Sequence, residues 1–346
     1  MGKRTCHPET ISEEEMIIAV DAAGGEYAPH EIVKGAIKAA QEYDVDIALV
    51  GSKGILHVLA GRHLKKLNLS IIEAGQVIEP HEPPLKAVRS KPDSSIVVGI
   101  NLVRDGVASA FISAGNTGAV LCASFLNLGK IAGVERPALG SIINIAVSGP
   151  VLLIDAGANV DCRPEHLAWF AHLGSLYISQ IFGISSPRVG LLSNGEEKNK
   201  GNKLIAESYE VLKKTNLNFI GNVEGQNILK GAADVIVTDG FTGNIVLKTI
   251  EGMSDTWLYS LSQAGQVFAK AYRLPSRALH RDIDMGSWAK RLDYQEYGGA
   301  CLLGVNGNVI IAHGRSQAKA IKNAIGLARQ TAERSISKII EEGSLD

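Results

Sequence analysis

The 346-residue chain is poor in aromatics, at 5%, and has only 11 prolines against 37 glycines. A core short of large rings is filled by aliphatic side chains. Abundant glycine fits an α/β protein with many tight strand-to-helix turns. No charge of one sign dominates: 35 Lys and Arg face 36 Asp and Glu, for a formal net charge of -1. No global basic field therefore favours nucleic acid. Cysteine is scarce, and Cys6, Cys122, Cys162 and Cys301 form no CxxC pair. Neither a zinc site nor a disulfide framework is indicated, and reduced thiols in a cytoplasmic protein are expected. No run approaches the roughly 18 apolar residues of a transmembrane helix, and the N-terminus has no signal-peptide apolar stretch. Residues 1–15 are polar and end in Glu13-Glu14-Glu15, so a disordered leader is expected before a single α/β domain over 16–346.

Several signatures are also missing. Gly195–Gly201 has the wrong spacing for a Walker A loop and no Lys-Ser/Thr ending, and the glycines near Gly24 do not make GxGxxG. There is no GxSxG elbow and no HExxH, so ATP, NAD and serine-hydrolase chemistry lack their usual warrants.

What is present begins with alternation. Strand 16–20, a helix from Pro29 to about Tyr43, strand 45–50, helix 53–66 and strand 69–74 read as βαβαβ, the mark of a parallel sheet. The four prolines of 80–92 predict a loop. Further strands are expected at 108–112, 139–145, 151–154, 188–192, 217–220 and 234–238, with helices at 94–105, 164–182 and 201–214. Apolar residues every three or four positions over 246–271 predict a long helix. Pro275 ends it, and a basic amphipathic stretch follows at 276–292, which together predict a helical hairpin over about 245–292. A β-hairpin across Asn306-Gly307-Asn308 and a closing helix over 316–341 complete the pattern.

Six polar glycine turns stand at the C-terminal ends of expected strands: 21–26, 113–118, 155–161, 193–197, 222–225 and 239–244. In an open parallel sheet that edge binds ligands, so the six are expected to share one edge. In Ser113-Ala114-Gly115-Asn116-Thr117-Gly118, glycines permit close backbone approach, and free N–H groups at a helix start attract an anion. A plain N-cap turn uses the same residue types. Lys198 and Lys200 either neutralise an anion or form a solvated helix start. Asp239 is a strand-end base or a turn residue, and His313 either faces the same edge or is structural.

In combination these stretches resemble the PlsX-type bacterial phosphate acyltransferases, over about 16–335. The matching segments are SAGNTGA at 113–119, RPAL at 136–139, GANVDCRPEHL at 157–167, GEEKNKGN at 195–202, GNVEG at 221–225, DGFTGNIVLKTIEG at 239–252, YGGACLLGV at 297–305 and AHGRS at 312–316. Two turns depart from the pattern. Ala23 and Glu26 stand where the family usually has Met and Asp, and Ser193-Asn194 stand where it usually has Asn-Ile. The resemblance implies an isocitrate/isopropylmalate-dehydrogenase-like fold, a parallel-rich sheet with flanking helices and a protruding hairpin. It also implies a homodimer, no metal or nucleotide cofactor, and a place in phospholipid synthesis. The expected partners are an acyl-carrier protein bearing a phosphopantetheine thioester, inorganic phosphate and a membrane glycerol-3-phosphate acyltransferase. The expected location is the cytoplasm, peripherally at the inner face of the membrane.

On this reading Asn116, Lys198, Lys200 and Asp239 are the candidate catalytic residues. Ser113, Gly115, Thr117, Gly118, Gly195, Glu196, Asn222, Glu224, Asn244 and His313 are candidates for binding phosphate or substrate. In the hairpin, Trp257, Leu274, Leu279 and Trp288 serve either a dimer interface or a tip dipping into the membrane surface. The alternatives are a phosphate acetyl- or butyryltransferase acting on coenzyme A, a non-catalytic acyl-binding scaffold, and an NAD-dependent decarboxylating dehydrogenase of the same fold.

Overall fold

A computed structural model describes residues 16–43, 45–143, 149–271 and 298–343. The expected leader and the second hairpin arm, with Leu274, Leu279 and Trp288, lie outside the described residues. The βαβαβ start is β1 (Ile17–Asp21), α1 (His30–Tyr43), β2 (Asp46–Gly51), α2 (Lys53–Leu64) and β3 (Leu69–Glu73). The proline-rich segment is not all loop. It contains α3 (Pro84–Ser90), because Pro84 takes the first helical position, where no N–H is needed. Then come α4 (Ser95–Arg104), β4 (Ala110–Ser113) and α5 (Thr117–Ala123), which widens into a π turn over Ser124–Leu128. β5 (Ala138–Ile143), β6 (Val151–Ile154), α6 (Pro164–Phe182), β7 (Val189–Ser193), α7 (Lys203–Leu212) and β8 (Phe219–Glu224) follow. Next are α8 (Gly225–Ile228), β9 (Val235–Val237) and α9 (Gly240–Ala271), the first hairpin arm. At 1.5 Å per residue, α9 is about 48 Å long. The Asn-Gly hairpin joins β10 (Ala300–Leu303) to β11 (Asn308–Ile311). The closing helix is two helices, α10 (Ala318–Glu333) and α11 (Ile336–Gly343), broken where Ser335 takes φ 49.

Among the described residues all the strands form one sheet, in the order β3-β2-β1-β4-β11-β10-β5-β6-β9-β7-β8. Alternate side chains of β1 enter different cores: Ile18 and Val20 pack with α1, α6 and α10, whereas Ala19 packs with α4 and α5. The sheet is therefore covered on both faces, as a mostly parallel sheet requires.

Its direction reverses in the middle. β1 to β4 and β11 are mutually parallel; β10 is antiparallel to both β11 and β5, and β5 is antiparallel to β6. β6, β9, β7 and β8 are parallel to one another and so run opposite to β4. The six turns consequently do not share one edge. Those after β1 and β4 lie at one end of the sheet, with His313 after β11. Those after β6, β7, β8 and β9 follow strands that run the opposite way. The expectation failed because the run β5-β6 is a hairpin rather than a crossover, so β6, β9, β7 and β8 run opposite to β4 while β11 does not.

Each end of the sheet is organised by a buried carboxylate. Asp21 Oδ1 accepts the N–H groups of Ala23 and Gly24, both at 3.0 Å, and Oδ2 accepts the Ser113 hydroxyl at 2.6 Å. That hydroxyl accepts Gly115 N–H at 3.0 Å. The two turns touch so closely that a β-carbon on Gly24 would collide with Asp21 and lie 2.8 Å from the Cα of Gly115. Asp155 Oδ1 accepts the N–H groups of Leu139, Gly157 and Ala158 at 3.0, 3.1 and 3.0 Å. Its Oδ2 accepts the backbone and amide N–H of Asn159 at 2.6 and 2.8 Å. Burial pushes both carboxyls above the usual range, and these donors pull the other way.

Asp155→Ala strands several buried N–H groups, each worth about 1–3 kcal/mol when unsatisfied. A loss of about 3 kcal/mol or more is expected in urea unfolding, against under about 0.5 kcal/mol for the exposed neighbour in Asp161→Ala. Equal midpoints for the two variants would refute the assigned role of Asp155.

Candidate functional site

Two helices cross the same face of the sheet in opposite senses. α5 starts after β4, and α9 starts after β9, a strand that runs opposite to β4. Between them lies a cleft of about 430 Å³, a normal size for a small-molecule site. Thr117, Gly118 and Leu121 of α5 form one wall; Asn244, Leu247, Lys248 and Glu251 of α9 form the other. Leu139, Ser141 and Ile142 of β5, with Ala300 of β10 and Ile311 of β11, form the floor, and His313 and Ser316 stand at the rim. The cleft thus has an apolar base beneath a polar mouth.

The polar mouth has three components. The first is the N-terminus of α5, where unpaired N–H groups and the helix dipole attract negative charge. Asn116 is its N-cap: Oδ1 accepts Ala119 N–H at 3.0 Å. Its Nδ2 donates to the carbonyls of Glu79, Pro80 and Glu82 at 3.1, 3.2 and 3.2 Å. Asn116 therefore clamps the proline loop to α5, and it is Thr117 and Gly118 that line the cleft.

The second component is a face of α9. Asn244, Lys248 and Glu251 are spaced i, i+4, i+7 and so share one side. Lys248 Nζ lies 3.1 Å from Glu251 Oε2. The third is His313, whose Nε2 lies 3.5 Å from the same Glu251 oxygen, so an arm from one half of the sheet meets a strand end from the other. His313 Nδ1 accepts Arg315 N–H at 3.1 Å, which places the neutral ring's proton on Nε2, facing Glu251. Burial lowers the His313 pKa; the Glu251 charge opposes this and Lys248 adds to it.

The remaining expected residues occupy other positions. Ser113 is buried under the first two turns, and Gly115 supplies its N–H to Ser113. Asp239 caps α9, accepting Thr242 N–H at 2.9 Å and its hydroxyl at 2.8 Å. Gly195, Glu196, Lys198 and Lys200 follow β7, Asn222 and Glu224 lie in the last residues of β8, and none of the six lines this cleft. Lys198 pairs with Glu210 at 2.7 Å, and Glu196 accepts the Asn227 amide at 2.7 Å. Asn222 Nδ2 donates to the Glu197 carbonyl at 2.9 Å, and Glu224 accepts the Gln226 amide at 2.5 Å. Lys200 packs its stem against Gly195. Trp257 is 54% exposed on α9. Lys248 and Glu251 were missed, although their register with Asn244 was a readable signal.

The thiols are poor nucleophile candidates. Burial raises Cys122, raises Cys162 to about 11 with help from the Asp155 charge, and raises Cys301 to about 12. All three stay protonated near neutrality.

Comparison with known proteins adds independent information. The family described as "Fatty acid synthesis protein" matches residues 16–339. The chain is 57% identical over 327 residues to a phosphate acyltransferase of Dehalococcoides mccartyi, covering 94% of each chain. It is 48% identical over 318 residues to a phosphate acyltransferase of Pelotomaculum thermopropionicum, covering 92% of each. Among solved structures it is similar to a phosphotransacetylase from Streptococcus pyogenes, with TM-score 0.58 and 17% identity, over 92% of this chain and 94% of that one. A 4-hydroxythreonine-4-phosphate dehydrogenase from Klebsiella pneumoniae shares the fold with TM-score 0.54 and 13% identity, over 92% and 100% of the two chains. The dehydrogenase-like fold expected from the sequence is the fold observed.

Glu251→Gln removes the negative charge that favours imidazolium at His313, so the His313 pKa should fall further below its ordinary value. A ring-carbon NMR titration reads this directly, and a rise would refute the contact.

Proposed function

The chain belongs to the fatty acid synthesis protein family and is an acyltransferase like its curated relatives, and from that premise we propose that it moves a fatty acyl group from the phosphopantetheine thioester of an acyl-carrier protein onto inorganic phosphate. The observation that carries this reading is the composition of the cleft. An anion-attracting helix start and a lysine stand directly above an apolar floor suited to an acyl chain.

A phosphate oxygen attacks the thioester carbonyl carbon and forms the new C–O bond. The C–S bond then breaks, and the pantetheine sulfur departs as a thiolate. With a thiol pKa of about 8.5 it needs no strong acid. A substantial share of inorganic phosphate is dianionic near neutrality, so positioning and charge handling are the main tasks. Thr117 and the N–H groups at the start of α5 hold phosphate or the thioester oxyanion. Lys248 offsets phosphate charge, and Glu251 and Asn244 orient it. His313, at the cleft rim with its Nε2–H facing Glu251, is a further donor once phosphate displaces that contact. Asn116, Asp239, Ser113 and Asp155 are positioning residues that fix the two helix starts. Protonated thiols favour direct attack over an acyl-cysteine. Lys198, Lys200, Gly195, Glu196, Asn222 and Glu224 form a second cluster, whose role in this reading is to bind an outlying part of the substrate.

The acyl-phosphate product would pass to a membrane glycerol-3-phosphate acyltransferase. Among the described residues no helix is long and apolar enough to cross a membrane, so the proposed link to the membrane is peripheral. Exposed Phe241, Ile245, Met253 and Trp257 recur along α9 at multiples of four residues, which supports a homodimer contact.

The test compares palmitoyl-carrier protein, palmitoyl-CoA and acetyl-CoA, each with and without phosphate. Phosphate-dependent thiol release from the long-chain carrier substrate is expected; release from acetyl-CoA alone would favour the phosphate acetyltransferase alternative. Lys248→Met should raise the KM for phosphate about tenfold, or about 1.4 kcal/mol. The same rise in Lys200→Met, with Lys248→Met unchanged, would move the anion site to the second cluster.

A further inference from the structure

The loop clamped by Asn116 leads straight into α3, and Pro84 of that helix packs on Gly118 at the cleft wall. The inner face of α3 buries Ala87 and Val88. Its outer face presents Leu85, 46% exposed, beside exposed Lys86, Arg89 and Ser90 around a shallow hollow. Glu82, the acid preceding this face, is already paired with Lys91 at 2.5 Å. Lys86 and Arg89 carry no ion pair among the described residues. The result is an apolar contact point flanked by two unneutralised cations, one short helix away from the site.

We propose that this outer face of α3 is the docking surface for the acyl-carrier protein, recognised as a small acidic helical domain, an inference that rests on the carrier-thioester reading above. An acidic helix supplies the complementary charge, and an exposed apolar residue on it covers Leu85. Docking here sets the carrier beside the α5 N-terminus, so its flexible arm reaches the cleft without crossing the protein. Two cations and one leucine are few for a lipid surface, where clusters of about 4–8 basic residues are typical. They match the scale of a weak, fast-exchanging protein contact, which suits a carrier that must leave after each turnover.

The experiment uses Lys86→Glu with Arg89→Glu in the full chain, and separately Leu85→Ser. Palmitoyl-carrier protein and palmitoyl-pantetheine, which has the arm but no protein, are compared as acyl donors. The expected result is a KM for the carrier raised about tenfold or more at low salt, with its kcat retained and the KM for palmitoyl-pantetheine and phosphate unchanged. High salt should narrow the gap between wild type and the double variant. An unchanged carrier KM overturns the docking surface and leaves the proposed function standing. A parallel rise in both donors overturns it too, because that marks damage to the cleft. Loss of binding to anionic phosphatidylserine vesicles with an unchanged carrier KM reassigns the face to a membrane. If wild type releases thiol from palmitoyl-pantetheine and never from the carrier protein, the carrier reading falls and takes the docking surface with it.

Discussion

Burying a carboxylate costs several kcal/mol unless every lone pair is satisfied, and this constraint governs both ends of the sheet. Asp21 and Asp155 are 1% and 0% exposed, and their donors come partly from the turns that follow their own strands and partly from neighbouring elements, Ser113 for Asp21 and Leu139 for Asp155. Such turns have one acceptable conformation, because moving any N–H away would strand a buried charge. The rigidity is transmitted outward. Ser113 links Asp21 to the turn that starts α5, and Asp155 seats the turn that packs on α9 through Gly157 and Asn244. The cleft walls are thus held from below by two charges that never face the cleft.

The reversed strand direction gives this arrangement its purpose. A sheet parallel throughout would have offered every turn on one edge and a site built from loops alone. Here the two halves run in opposite directions, yet the turns after β4 and β6 and the first turns of α9 meet in one cleft, where Thr117 and Gly118 stand with Ala156, Gly157 and Asn244. Leu247 packs with the apolar groups of both halves, so the helix is anchored where it passes the midline. Asn244, Lys248 and Glu251 arrive beside Thr117, and Glu251 meets His313. A site made this way depends on two rigid helices and a sheet floor, elements better able than loops to hold reacting groups in place.

The chemistry that suits such a site is positional. Its polar groups are backbone N–H groups, hydroxyls, the Asn244 amide, Lys248, Glu251 and the His313 imidazole, and the thiols of Cys122, Cys162 and Cys301, which do not line it, are held protonated. Most of these are donors that stabilise negative charge on a substrate, Glu251 pairs with Lys248, and none is an activated nucleophile. The apolar floor and the separate turn cluster beyond β7 leave room for a long substrate with chemically distinct parts.

Much of the fold was legible in the sequence. The βαβαβ start, the Asn-Gly hairpin and the long apolar stripe that became α9 follow from local rules of period and turn chemistry. Repeated six-residue matches also carried the family. Asn116, Thr117 and Gly118 were found at a helix start because capping and glycine turns leave a local imprint. What the sequence left open was which turns meet. That was decided above all by β10 lying between β11 and β5, where Ala300 pairs with Ser141, a pairing across more than a hundred positions that no short pattern encodes, whereas the β5-β6 and β10-β11 pairs are local. Tertiary structure likewise decided that Asn116 and Asp239 spend their side chains on backbone partners while Lys248 and Glu251 face the cleft. Local sequence fixes which groups are available, and only long-range pairing fixes which of them end up near one another.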